Sequence, residues 1–202
     1  MSRLSLLSPS GYQRSRWKND GGWTTEIARS ADDSAAGFRW RISIAEIESD
    51  GPFSSFPGIA RDLLLLEGNG IELVVDDALP RTLSRRFEHV HFKGEAHVAC
   101  RLLAGPTRDF NVMARRDAAR AEVLARPLVG PMVIFPEAGS EWFVHVFAGQ
   151  AKARSGEETL VLATGASLLV DFRDGAGQRL VLDGGGELVL VKFTAAQAAG
   201  AP

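Results

Sequence analysis

Polar and apolar residues alternate along most of this chain with a period of two, the mark of strands that bury one face. The runs WTTEIA (23–28), FRWRISIAEI (38–47), LLLLEGNGIELVV (63–75), HVACRLLAG (97–105) and PMVIFP (131–136) read as strands punctuated by Gly, Pro and Asp. SEWFVHVFAGQAKAR, LVLATGASLLVDF and QRLVLDGGGELVLVKF carry the same pattern toward the C-terminus. Glycine breaks at 68–70 and 184–186 predict hairpin loops. One segment, RRDAARAEVLARPL (115–128), has helix formers behind an Asp suited to a helix N-cap, but the alternation of Ala121, Val123 and Ala125 favours a strand. The pattern predicts an all-β sandwich or barrel, in two lobes divided near residues 115–130.

The polar positions of the first third are the most informative. In RWKNDGGWTTEIARS (16–30), Asn19 to Gly22 make a turn, after which Thr24 and Glu26 fall on the face opposite Trp23, Thr25 and Ile27. The next strand places Phe38, Trp40, Ile42 and Ile44 on one face and Arg39, Arg41, Ser43 and Ala45 on the other. If the two strands pair, Glu26 meets Arg41 beside Thr24 and Ser43, an oriented guanidinium among small hydroxyls that suits a carboxylate ligand. The same pattern also describes an ordinary ion pair on a solvent-facing strand surface. The loop DGPFSSFPGIARD (50–62) offers Phe53 and Phe56 as stacking surfaces and Arg61 as an anion contact, in a lid or barrel rim or else in a packed turn. In GPTRDFNVMARR (105–116), Asp109 and Asn111 share a face, able to bind a ligand amide or to satisfy loop backbone.

Composition narrows the partners. A chain of 202 residues, 45% hydrophobic, can bury one sizeable core or two small ones and carries no signature of disorder. Its 23 Lys and Arg against 25 Asp and Glu are scattered, which argues against nucleic acid and membrane surfaces and toward a small molecule or another protein. Cys100, the single cysteine, excludes an internal disulfide and falls in an apolar strand run that suits a buried, inert thiol. No apolar stretch reaches membrane-spanning length and the N-terminal apolar run is short for a signal peptide, so a cytoplasmic protein is expected. The sequence contains no G-x-S-x-G, Walker or Rossmann fingerprint.

The ordered blocks RWKNDGGWTTEIA, FRWRISIAEIESDGPFSSFPGIARDLLLLEGNGIEL, FKGE and CRLLAGPTRDFNVMARR resemble the HutD/Ves family of bacterial proteins over residues 12–116. The resemblance implies a bicupin-like fold, two antiparallel β-barrel or jelly-roll lobes at residues 10–118 and 119–194 with room for strand exchange between them, and a homodimer. It also implies a small-molecule pocket in the first lobe and a regulatory or protective role in histidine catabolism. Intermediates of that breakdown, urocanate and the formimino- and formyl-glutamates, all carry carboxylates. The positions that match the family's motifs are Trp17, Asn19, Thr24, Glu26, Arg41, Ser43, Arg61, Asp109 and Asn111. The expected function is non-catalytic binding of such a carboxylate, without a cofactor. The alternative is a metal-free isomerase or hydrolase acting on a formyl or formimino group, with Glu26 or Asp109 as acid or base.

HVHFKGE (89–95) raises the question of a metal. His89 and His91 share a face of a strand, and Glu95 follows in the next turn, so the three are spaced to grip one ion. Metal-dependent cupins carry a glycine where Leu83 stands, and a downstream P-x-G-x-x-H that FPEAGSEWFVH does not match. Within the HutD-like pattern the recurring residues are Phe92, Gly94 and Glu95. With Val90 and Phe92 forming the apolar face, His89 and His91 are expected to point outward and to hold no metal.

Overall fold

The computed structural model describes residues 3–172 and 179–196. Its strands are β1 (Arg3–Leu7), β2 (Gln13–Arg16), β3 (Gly22–Ala31), β4 (Phe38–Ile47), β5 (Gly51–Pro52), β6 (Ile59–Glu67), β7 (Ile71–Val75), β8 (Arg81–Leu83) and β9 (His89–Lys93). They continue with β10 (Val98–Leu102), β11 (Thr107–Arg115), β12 (Ala119–Val129), β13 (Met132–Ile134), β14 (Glu141–Ser155), β15 (Glu158–Ala163), β16 (Ser167–Asp171) and β17 (Leu180–Ala195). Among the described residues the only helix is a single 3₁₀ turn at Pro9–Gly11, and no helix is long and apolar enough to cross a membrane. The protein is all-β.

The chain folds as two compact units, Tyr12–Ala119 and a second one that joins the N-terminal segment through Gly11 to the chain from Arg120 onward. In the first, a six-stranded sheet of order β2-β3-β4-β11-β6-β9 accompanies a four-stranded sheet, β5-β10-β7-β8. Leu63, Leu65, Ala45 and Ile47 from the larger sheet form one buried cluster with Leu73, Val98 and Cys100 from the smaller. The core lies between the two sheets. In the second unit, the order β1-β16-β14-β17-β12 places β14 and β17 at the centre, with β15 added to β14 and β13 to β17. Its core is built from Val144, Val146, Leu168, Val170, Phe172, Leu188 and Leu190, all at most 2% exposed.

Both glycine breaks differ from the hairpins expected of them. Gly68 and Gly70 do turn the chain at positive φ, but β6 belongs to the six-stranded sheet and β7 to the four-stranded one, so the turn passes the chain between sheets. Gly184 to Gly186 lie inside β17, opposite Gly149 to Ala151 of β14. There a Cβ on Gly186 would stand 1.9 Å from the Ala148 carbonyl oxygen, and one on Gly184 would stand 2.3 Å from that of Gln150. Gly149 faces the same crowding from the Gly185 carbonyl. The glycines are there because two backbones touch, not because the chain reverses. Between 115 and 128 the alternation prevails over helix propensity: Arg116 to Ala118 turn, and β12 pairs with the edge of β17.

Candidate functional site

β11 is the spine of the site. Its antiparallel register sets Met113 opposite Arg41 of β4 and Arg61 of β6, Asn111 opposite Ser43 and Leu63, and Asp109 opposite Ala45 and Leu65. Residues paired across strands project to the same face, so these rows form one surface of the sheet, the one turned to the core. That surface is not solvent-facing: Ser43, Asn111 and Arg61 are 3%, 4% and 6% exposed. The opposite surface of the same strands, with Ile42, Leu64 and Val112, is buried as well.

A cavity of about 550 Å³ opens on the polar rows. Arg41, Ser43, Arg61 and Asn111 line its wall together with Leu63 and Met113. Trp17, Asn19 and Thr24 line it from the β2–β3 turn and β3, where the Trp17 indole N–H donates to the Thr24 hydroxyl at 2.8 Å. Phe53, Ser54 and Phe56 close another side. Among the described residues the lining holds four bases, Arg16, Lys18, Arg41 and Arg61, and no carboxylate.

The four bases are not equivalent. Arg16 is committed to Glu48 and Asp20, and Arg41 gives its Nε–H to Glu26 at 2.6 Å. Among the described residues Arg61 has no carboxylate partner. Its Nη2 donates to the Asn111 side-chain oxygen at 3.1 Å, its Nη1 reaches the Ser54 carbonyl at 3.4 Å, and its Nε is buried without a partner. Rings of Phe92, Phe53 and Phe56 surround the guanidinium at 5.0, 5.4 and 5.5 Å. Burial lowers its pKa to about 10, and the nearby Arg41 charge pushes the same way. A cation this deep, next to a second one, favours an anion in the space they share.

Two residues of the motif set stand apart from the cavity lining. Glu26 acts behind Arg41, and its other carboxylate oxygen is approached more loosely by Arg29 at 3.5 Å. Asp109 is fully buried one row deeper than Asn111, with Oδ2 accepting from the Thr107 hydroxyl at 3.0 Å and Oδ1 unpartnered. Burial raises its pKa to about 7, against the opposing pull of the Thr107 bond. Cys100 is buried, and burial pushes its thiol up to about 12. Arg16, Lys18, Leu63 and Met113 were not singled out from the sequence. The last two were within reach, since each lies two positions beyond a motif residue on the same strand face.

The histidines do not meet Glu95. His89 and His91 alternate with the buried Val90 and Phe92, and both reach one carboxylate oxygen of Asp62 on β6, His89 Nε2 and His91 Nδ1 each at 3.1 Å. Glu95 turns instead to Arg116, with bonds of 2.6 and 2.8 Å. Among the described residues no group of three or more His, Cys, Asp or Glu is arranged to hold a metal ion.

Comparison with known proteins places this geometry in a family. The chain is 44% identical over 123 residues to an uncharacterized 21.2 kDa protein in the hutC 3′ region of Pseudomonas putida, a match covering 61% of this chain and 64% of that one. It is 39% identical over 108 residues to protein Ves of Citrobacter koseri, covering 53% and 56%. The chain thus spans less than two thirds of these curated relatives. Among solved structures it is similar to HutD from Pseudomonas fluorescens SBW25, with 33% identity, a TM-score of 0.82, and coverage of 96% of this chain and 99% of that one. An oxalate decarboxylase from Lactobacillus farciminis, 9% identical with a TM-score of 0.66 over 93% and 85% of the two chains, shares the fold alone. The all-β fold is cupin-like. The HutD family profile matches residues 10–190, and the chain belongs to the HutD family.

Proposed function

We propose that the cavity binds a small carboxylate and that the protein is a non-catalytic binding protein with a regulatory or protective role in histidine catabolism. The observation that carries this reading is Arg61: a buried guanidinium with no carboxylate partner among the described residues, beside Arg41, on a cavity whose described lining contains no acid. An incoming carboxylate supplies the missing charge and accepts the N–H groups that Asn111 and Ser54 leave over. Ser43 and Thr24 offer hydroxyls to the remainder of the ligand. The hutC-region relative and HutD of Pseudomonas fluorescens support a place in histidine utilisation. The ligand we propose is urocanate or a formyl- or formimino-glutamate, carboxylates of that breakdown. Turnover by the two carboxylates of the motif set requires that one of them reach the ligand. Asp109 lies outside the lining and Glu26 is held by Arg41, which supports binding over chemistry.

Calorimetry with urocanate, N-formylglutamate and formiminoglutamate tests the reading, with the same mixtures followed chromatographically for hours. Saturable binding without product is expected. Steady product formation that disappears in Glu26→Gln or Asp109→Asn would transfer the protein to the isomerase or hydrolase class.

A further inference from the structure

The loop of residues 53–58 that walls the cavity is tied down from behind. The Phe53 amide donates to the Val98 carbonyl at 2.9 Å and the Phe56 amide to the Gly94 carbonyl at 2.7 Å, while the Gly94 amide donates to the Ile59 carbonyl at 2.7 Å. There is no room for a methyl group at Gly94, where a Cβ would stand 2.4 Å from the Phe56 carbonyl oxygen. One residue on, the Glu95 carboxylate takes a two-pronged bond from Arg116 and further bonds from its own amide and that of Gly58. The Arg116 bond is the main reason its carboxyl is held down at about 2. Arg116 closes the circle, giving its amide to the Gly58 carbonyl at 2.9 Å and Nη1 to the Ile59 carbonyl at 3.1 Å.

What this clasp holds is the surroundings of Arg61. Phe53, Phe56 and the Ser54 carbonyl come from the loop, and Phe92 precedes Gly94 by two residues on the strand that anchors it. A long, flexible side chain with Asn111 as its other hydrogen-bond partner keeps one geometry only while that wall stands. We infer that Glu95 and Arg116, neither of which lines the cavity, are positioning residues for anion binding at Arg61. This rests on the reading of the cavity as a carboxylate site. It also gives the F-x-G-E stretch a role that involves no metal: Phe92 stacks on the guanidinium, Gly94 admits the loop backbone, and Glu95 locks it.

The test uses the full chain, with urocanate and N-formylglutamate as probes for calorimetry and amide hydrogen exchange read in the empty protein. Glu95→Gln removes the charge, Gly94→Ala pushes on the loop while keeping the clasp residues, and Arg108→Gln, which breaks an exposed pair with Glu67, is the control. In Glu95→Gln and Gly94→Ala, exchange at the Phe56 and Gly94 amides should quicken about tenfold while that of β11 stays put, and affinity should fall about tenfold, the equivalent of 1.4 kcal/mol. Arg108→Gln should bind within about twofold of the parent. A role confined to stability would lower the melting temperature and leave the affinity of the folded molecules unchanged. If the parent binds a probe and both variants bind it equally well, the inference is overturned and the carboxylate reading survives. If the parent binds neither probe, the carboxylate reading fails and the inference falls with it. Should Glu95→Gln not fold, Arg116→Lys, which keeps the charge and loses the two-pronged bond, separates the same outcomes.

Discussion

In the unit built from β1 and β12 to β17, the strand faces turned to the core carry Val144, Val146, Leu168, Val170, Leu188 and Leu190. In the Tyr12–Ala119 unit the inward face of β4, β6 and β11 carries Arg41, Ser43, Arg61, Asp109 and Asn111 among its leucines. The first interior is almost wholly apolar, and its groups need only each other and the exclusion of water, with the indole Nε1 of Trp142 packed against it as a buried polar atom without a partner. In the second, each polar group brought inside needs a partner, and Arg61 Nε and Asp109 Oδ1 have none among the described residues. One unit thus builds a closed apolar core and the other a container, with Arg61 on the container's wall and Asp109 sealed below it.

The largest effect is expected from the closed interior. Phe172→Ala should cost about 3–5 kcal/mol in chemical denaturation, since the ring is fully buried and leaves a cavity, while carboxylate affinity of the folded molecules stays within about twofold. A parallel loss of affinity would mean that the two interiors are not independent.

Asp109 should give the container a pH-dependent stability. Its folded pKa of about 7 lies above the ordinary 3.8, so between those values the folded state keeps a proton that the unfolded state has released. Stability therefore falls as pH rises from about 4 to 7 and levels off above, with an upper bound of roughly 4 kcal/mol from that shift. Asp109→Asn should flatten the profile and be the more stable protein at pH 8. Equal slopes in parent and variant would place the titration elsewhere.

Arg61→Lys should weaken carboxylate binding by about 1.5–3 kcal/mol, because a buried point charge cannot replace the planar fork. Arg41→Lys should cost less, about 1 kcal/mol, since Glu26 already occupies its Nε, and Arg39→Lys should stay within about 0.5 kcal/mol. The reverse order in titration calorimetry would move the anion contact from β6 to β4. The smallest effect is expected at the histidines: His89→Ala with His91→Ala should leave affinity unchanged, and elemental analysis of the parent should find no stoichiometric transition metal. One ion per chain, lost in the double variant, would give the Asp62 cluster a chemistry of its own.

Alternation made the strands legible, and with them the face on which Thr24, Glu26, Arg41, Ser43, Asp109 and Asn111 lie. It could not give depth. Asp109 and Asn111 share a face, yet one lines the cavity and the other is sealed below it, a distinction set by what the neighbouring sheet covers. Nor could it say which strand follows which. A glycine turn reads the same whether the next strand pairs back or joins another sheet, as after Gly68, and a glycine run reads as a loop when its reason is a backbone lying across it, as at Gly184. The partners of His89, His91 and Glu95 were equally hidden, because Asp62 and Arg116 are brought to them by pairing distant in the chain.

The glycine corner where β14 meets β17 limits how this chain can drift. In the apolar interior a lineage can exchange one aliphatic residue for another of similar volume at a cost below about 1.5 kcal/mol, and repeated small steps explore many sequences. Gly149, Gly184 and Gly186 allow no such path, because every replacement begins with a Cβ within 2.0, 2.3 and 1.9 Å of a carbonyl oxygen and at a φ that side chains avoid. A library of random variants selected for folding should show the corner as three fixed letters in a tolerant neighbourhood. Escape requires lengthening or reshaping a strand in a single event, so change at this corner comes by insertion or deletion and not by gradual substitution.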